Sequence, residues 1–321
     1  MMKKILFMIM CHKNAKQVLR LAKTLNLAEA DIVIHADMNL NEDEMKCLCV
    51  QVATSDNIYI TDDRIHGVLD TRSLVDIVFI MLNYMRDKGN EYNYYCLLSG
   101  QDYPVQPISY IESELDRSYP KPFIDCTPCD KSNWVYQKFI TPPWIIQYNN
   151  FISMKFSRKN PICKGLRLTA MLMHKMTQVF KCNAYSSLSK KNVELYGGSA
   201  WWILPDVAIN YIVDEYNNSA PLIKELLNTR TPEETFFQIM TMHSPIKEYV
   251  QVNPINQINQ NCKTWAYFSD IDKPFKGHPY IFTVNELGKL VHSNFWFARK
   301  FDVDVDSEIL DLLDKHIATH V

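Results

Sequence analysis

The sequence predicts an α/β protein, with a mostly parallel sheet covered by helices on both faces. Three observations carry this expectation. Short apolar runs alternate with amphipathic stretches through the first half of the chain. The 321 residues are 47% hydrophobic and 12% aromatic with only 8 Gly, the composition of an ordered core. The spacing of the runs leaves room for a helix between consecutive strands, which is the crossover a parallel sheet requires.

The elements follow in order. Lys3-Lys4 precedes Ile5 to Met10, an apolar run too short for an export signal, so it reads as the first buried strand. Further strands are expected at Ile32 to His35, Ile58 to Ile60 and Tyr94 to Leu98. Helical periodicity marks Ala15 to Leu25, Glu42 to Cys47 and Leu74 to Met85. From Thr127 to Tyr196 the pattern is less regular. Trp134, Tyr136, Trp144 and Tyr148 surround Pro142-Pro143 there, as in a substrate-facing insertion or a packed loop. A strand at Trp201 to Leu204 follows, then helices from Asp206, Ala220 and Pro232, one near Thr283 to Val291 and a last one from Asp306 to Ile317. No repeat or linker divides the chain, so residues 1–321 read as one domain.

Composition excludes several classes. Net charge is −2 with Lys and Arg scattered, so no basic stripe points to nucleic acid. No stretch approaches the ~20 apolar residues of a membrane-spanning helix, which leaves room only for a peripheral membrane contact. Nine cysteines lack framework spacing, and Cys126-x-x-Cys129 has no second pair at zinc spacing. Reduced thiols in the cytoplasm are the expectation.

Ligands of such sheets bind beyond the carboxyl ends of the strands. That rule selects Cys11-His12-Lys13, His35-Ala36-Asp37 and Ser99-Gly100-Gln101-Asp102. No P-loop and no Gly-x-Gly-x-x-Gly follows the first strand, which argues against ordinary NTPases and nicotinamide enzymes. Asp37 has the place of a ribose-binding carboxylate, or of a helix cap. Asp102 ends a strand at the sheet edge, or belongs to a tight turn that Gly100 and Pro104 favour. Asp270-Ile271-Asp272 and the run Asp302 to Asp306 mimic metal motifs. The second fails as a calcium loop, with Ser307 at its sixth position and Leu313 at its twelfth, and neither is taken as a metal site. Thr231-Pro232-Glu233-Glu234 reads as a capping box, or as a base beside the apolar Phe236-Phe237. In Tyr196 to Trp202 a Gly turn leads to two indoles, of which one faces the core, since strand neighbours point opposite ways. Arg299 and Lys300 sit inside an aromatic run from Phe295 to Phe301. Cations there either meet an anion such as a diphosphate or lay their stems over core aromatics.

Four of these pieces occur in a familiar order: Leu98 to Pro104, Gly198 to Trp201, Pro232 to Phe237 and Phe297 to Asp302. The set resembles the core-2/I-branching N-acetylglucosaminyltransferase and protein xylosyltransferase family, over roughly His35 to the C-terminus. The resemblance implies a GT-A type fold, with a nucleotide-binding half of about 1–125 and an acceptor and catalytic half of about 126–321. It implies transfer with inversion from a UDP-sugar, which is a substrate and not a cofactor, to a glycan or lipid-linked saccharide hydroxyl. No divalent metal is expected. Glu234 matches the family's general base, and Arg299 and Lys300 match the cations facing the leaving UDP. His35, Asp37 and Asp102 match positions lining the donor site. Trp201, with Gly198 and Ser199, matches the acceptor side. A further family Arg falls near Gly277 here, so Lys276 or His278 is expected to substitute. Ala200 is the choice of the branching enzymes and Arg299 that of the xylosyltransferases, which leaves the donor sugar ambiguous; N-acetylglucosamine is expected, with xylose the alternative. A nucleotide-sugar-binding protein without catalysis is the alternative of another class. The animal enzymes carry a membrane anchor and disulfides. Neither is read here, which implies a cytoplasmic bacterial relative, in contact with a membrane at most, working in polysaccharide biosynthesis.

Overall fold

A computed structural model describes residues 4–26, 30–145, 147–148, 152, 161–218, 221–255, 261–268 and 279–318. The central sheet forms from β1 (Lys4–Cys11), β2 (Ala30–Ala36), β3 (Ile58–Ile60), β4 (Tyr92–Ser99) and β8 (Ile203–Pro205), in the order β3-β2-β1-β4-β8. All neighbours are parallel except β8, which runs antiparallel to β4. Helices α1 (Ala15–Leu25), α2 (Glu42–Val52) and α3 (Ser73–Arg86) make the crossovers. The mostly parallel α/β expectation therefore holds, and the architecture agrees with a GT-A type fold.

Alternation along β1 explains the two-sided core. Ile5, Phe7 and Ile9 enter one apolar cluster, with α1, α2, α4 (Ile108–Ser118) and α12 (Glu308–Ala318). Leu6 and Met8 enter the other, with α3, α8 (Asp206–Asn217), α9 (Pro221–Leu227) and α10 (Phe236–His243). Each such side chain contributes roughly 1.5–3 kcal/mol by burial. Parallel register brings Met10 level with His35 on one side and Ser99 on the other, so three strands end together. Two main-chain bonds tie those ends: Asp37 N–H donates to Cys11 O at 2.8 Å and Gly100 N–H to Met10 O at 2.9 Å. Gly100 has to be Gly, since a Cβ there would lie 2.5 Å from Val18.

A second sheet, β5-β10-β9, brings the C-terminal region to this edge. Strand β10 (Phe297–Arg299) pairs antiparallel with β5 (Asp102–Pro104) and parallel with β9 (Thr264–Ala266), which sets Arg299 opposite Asp102. The buried Gln17 amide fixes the join: its Nε2–H donates to Gly100 O and Phe301 O, both at 3.1 Å, while its Oε1 accepts from Val303 N at 3.0 Å. A two-stranded piece, β6 (Thr127–Pro128) with β7 (Tyr196–Gly197), completes the sheets of the described residues.

Several expectations need correction. The region read as irregular is largely helical, with α5 (Trp134–Ile140), α6 (Pro161–Val179) and α7 (Ala184–Lys190). The strand expected at Trp201 starts two residues later, at Ile203, although Trp202 O still accepts from Leu97 N–H of β4. The helix expected from Pro232 opens as a 3-10 turn, Pro232–Glu234, before α10. Helix α4 and strands β5, β9 and β10 were not foreseen. These three-residue strands lie outside the strand–helix alternation that marked β3, so they show only with their partners. Near Thr283 the expected helix is present as a capped 3-10 turn leading into α11 (Leu287–Val291). Cys126 and Cys129 are free thiols, the first buried and the second half-buried.

Candidate active site

The site forms where β1, β2 and β4 end and β10 joins them. Asp102 is fully buried. Its Oδ2 accepts from Ser99 N–H at 2.8 Å, and its Oδ1 faces Arg299 Nε at 3.5 Å. Burial pushes this carboxyl up to about 6, against the pull of Arg299 and the Ser99 amide. The Arg299 guanidinium carbon lies over the Trp201 ring, 4.3 Å from its centroid, within cation–π range. Burial pulls the guanidinium below its ordinary value, and the charges of Asp102 and Glu234 act the other way. Glu234 is thus within electrostatic reach of Arg299.

Basic side chains gather along this edge. Lys300 is pulled down by burial and then by Lys13 and Arg299, and it has no ion pair with any carboxylate among the described residues. Lys13 pairs with Asp302 at 2.6 Å. His12 is pulled down by burial and then by Lys300, Lys13 and Arg299, with Asp37 opposing. Four nitrogen-bearing side chains therefore crowd one another at the carboxyl ends of the strands. Such a cluster favours an anion of more than one charge.

The Glu234 carboxylate comes from a different construction. Glu234 ends the 3-10 turn, with its side chain 35% exposed. Its Oε2 accepts from Lys138 Nζ of α5, whose side chain is only 10% exposed. The same ammonium donates to Thr231 Oγ1 at 2.6 Å and lies 4.9 Å from the Trp134 ring centroid. The capping box does not form: Thr231 sits at φ 49 and its side chain makes no capping bond. A β-branched residue in that left-handed region is strained. The ammonium, a charged donor, outcompetes backbone N–H groups for both side chains. Glu233, next door, is buried, and its Oε2 has no hydrogen-bond partner. Burial, then the charge of Glu234, pushes its carboxyl up to about 8.

Glycine placement joins the two sides. Gly198 N–H donates to Glu234 O at 2.9 Å, and a Cβ on Gly198 would lie 1.9 Å from Asp125 O. Gly198 is therefore a packing residue. Ser199 is a turn residue, with its Oγ accepting from Trp201 N–H and its carbonyl from the Gln238 amide. Of the two indoles Trp202 is 1% exposed and Trp201 half-buried, which is the division expected.

Three donor-side expectations change. His35 is fully buried: its Nε2 accepts from Ile65 N–H, and burial lowers the ring to about 4, so it is a neutral part of the wall. The Asp37 carboxylate accepts from Asn39 N–H at 2.7 Å and Gly67 N–H at 2.6 Å, and so shapes the loop after β3 rather than lying open to a ligand. Asp102 acts through Arg299 and is not itself open to solvent. In each case the strand end is capped by chain that crosses over it. Lys276 and His278, and the pair Asp270 and Asp272, lie outside the described residues. In the run Asp302 to Asp306 the outer carboxylates are engaged: Asp302 takes Lys13 and the Asp304 amide, while Asp306 takes the amides of Val284 and Ile309. Lys138 was missed by sequence reasoning. Its one signal was a lone cation in the otherwise apolar, aromatic helix Trp134–Ile140.

Comparison with known proteins gives a concordant result. The family model described as Core-2/I-Branching enzyme matches residues 126–291, just over half of the chain. Xylosyltransferase 2 of Rattus norvegicus is 24% identical over 337 residues, covering 98% of this chain and 34% of that protein. The Homo sapiens xylosyltransferase 2 is 24% identical over 340 residues with the same coverage. Beta-glucuronosyltransferase GlcAT14B of Arabidopsis thaliana is 23% identical over 238 residues, 72% of this chain and 45% of that protein. The chain thus spans about a third of the length of the xylosyltransferases it matches. The family match contains both the Gly198 turn and the Glu234 turn, and by its extent the chain belongs to the Core-2/I-branching enzyme family.

Proposed function

We propose that this chain is an inverting glycosyltransferase that moves a sugar from a UDP-sugar to a glycan hydroxyl, with Glu234 as general base. The observation that carries the reading is one partly exposed carboxylate, Glu234, within electrostatic reach of a buried guanidinium on a cation-rich strand edge. The acceptor oxygen attacks the anomeric carbon while its proton passes to Glu234 Oε1, the oxygen not engaged by Lys138. The bond from that carbon to the diphosphate oxygen breaks, and the electron pair leaves with UDP. Arg299 and Lys300 stand where that charge grows, with His12 and Lys13 beside them, a service otherwise given by a metal ion. No divalent cation is required in this scheme.

Glu234→Gln is the direct test. Turnover is expected to fall about 10²–10⁴-fold while UDP affinity, measured by titration calorimetry, stays. Undiminished turnover in that variant removes Glu234 from the role. Treatment with EDTA is expected to leave the rate unchanged, and a loss restored by manganese would overturn the metal-free scheme. N-acetylglucosamine is the donor sugar we favour, on the Ala200 choice. Xylose is the second reading, favoured by the relatives that span nearly the whole chain. Competing UDP-N-acetylglucosamine against UDP-xylose in one assay separates them. A protein that binds UDP and neither transfers nor hydrolyses any donor would instead be a binding module.

A further inference from the structure

The even scatter of charge suggested by composition conceals a strong segregation. Between Asp130 and Glu194 the sequence holds eleven of its 34 Lys and Arg and none of its 36 Asp and Glu. The rest of the sequence is net acidic. Helix α6 lies within this stretch, and its polarity is inverted. The side facing the protein carries buried Ala170 with half-buried Arg167, His174 and Thr177. Leu168, Met171, Leu172, Met176 and Val179, with Phe180 just beyond, are between 49% and 75% exposed. A helix on the surface of a water-soluble protein places its apolar residues the other way. Lys164 and Lys175 are exposed too, and the spacing 164, 168, 171, 175 sets them along the same outward side as Leu168 and Met171.

We propose that the outward face of α6 docks this protein on an anionic lipid bilayer. Apolar residues projecting from a helix bordered by lysines match the boundary between acyl chains and negative headgroups. Charge complementarity selects a lipid surface over an uncharged apolar partner, since burying the exposed Lys164 and Lys175 in a neutral interface would be costly. A cleft of about 480 Å³ opens at the C-terminal end of α6, with Trp144, Lys181, Lys190 and Thr229 on its walls. The Thr229 hydroxyl lies 3.2 Å from that of Thr235, the residue after Glu234. Docking at α6 would therefore place a lipid-borne acceptor on the side of the molecule that holds the base. That last link rests on the glycosyltransferase reading, whereas the docking does not.

Flotation with vesicles tests it. The intact protein should float with phosphatidylcholine vesicles containing phosphatidylglycerol, not with phosphatidylcholine alone, and added salt should release it. Lys164→Ala and Lys175→Ala should each weaken the vesicle association constant about fivefold. Leu172→Asp should abolish flotation while UDP binding and the melting temperature stay as in the unmodified protein, because the side chain is half exposed. No association with anionic vesicles, or equal flotation of Leu172→Asp, overturns the proposal. So does a dimer in light scattering that Leu172→Asp dissolves without any vesicle binding, since a second copy would then cover the face. Vesicle binding in a protein that shows no sugar transfer would uphold the docking and remove only the proposed activity.

Discussion

The two sides of the site are built in opposite ways. The cationic side is carried by strands. Arg299 is positioned by pairing with β5 on one edge and β9 on the other, by the Trp201 ring and by a buried carboxylate. The carboxylate side is carried by a three-residue 3-10 turn and one ammonium, Lys138, from a helix about a hundred residues earlier. Main-chain register fixes the first, and a single side-chain pair aims the second. If the proposed transfer holds, rigidity on the cationic side alone would fix a diphosphate while leaving room for acceptors.

Perturbing each side should reveal this difference. The largest expected effect is at Arg299. Arg299→Met leaves Asp102 buried without its partner and should destabilise the protein by about 3–5 kcal/mol in urea unfolding. The Asp102 carboxyl already sits at about 6, so the folded state retains a proton that the unfolded state has lost. Removing Arg299 raises it further. The deficit should thus be smaller at pH 5 than at pH 8, and Asp102→Asn in the same chain should recover most of it. If Arg299→Met is as stable as the parent at pH 8, the strand-held side is not held by this pair.

Glu233 gives the next effect. Its carboxyl is raised from 4.5 to about 8, so between those values the folded protein holds a proton that the unfolded chain releases. Stability should therefore fall as pH rises through this window, by roughly 1–3 kcal/mol. Glu233→Gln should flatten that slope in thermal melts taken across it. A slope that persists unchanged would assign the pH dependence elsewhere.

The smallest effect should be the coupling of Lys138 with Glu234. A double-mutant cycle of Lys138→Met and Glu234→Gln is expected to give about 1–2 kcal/mol in stability, with UDP affinity untouched. Loss of UDP affinity in Lys138→Met would show that the two sides are not independent, and the contrast drawn here would fail.

Much of the strand-held side was legible in the sequence. The alternation of Ile5 to Met10, the strand ending at Ser99, and Arg299-Lys300 within their aromatic run all point to it from local pattern. The division of labour between Trp201 and Trp202 follows from period two alone. What the sequence did not disclose depends on pairing between distant segments. Nothing near Asp102 announces that Arg299 lies opposite, and nothing near Glu234 announces Lys138. His35 and Asp37 were placed correctly at a strand end, but loop residues Arg64 to Gly67 close over them. Helix α6 was missed because its stripe faces outward, with Ala170, His174 and Thr177 on the inner side offering no apolar period toward a core.

The Gln17 clamp bears on how the molecule is made. Gln101 and Phe301, 200 positions apart, meet beside it. During synthesis β1 to β4 precede β10 and have one another for partners, whereas the strand that brings Arg299 follows about 200 residues after Gln101. The pairing of Arg299 with Asp102 should therefore arise late, after the scaffold has formed, and closing so long a loop belongs to the slow steps of folding. A nascent chain stalled before Phe297 would have the strands of the central sheet and no partner for Asp102.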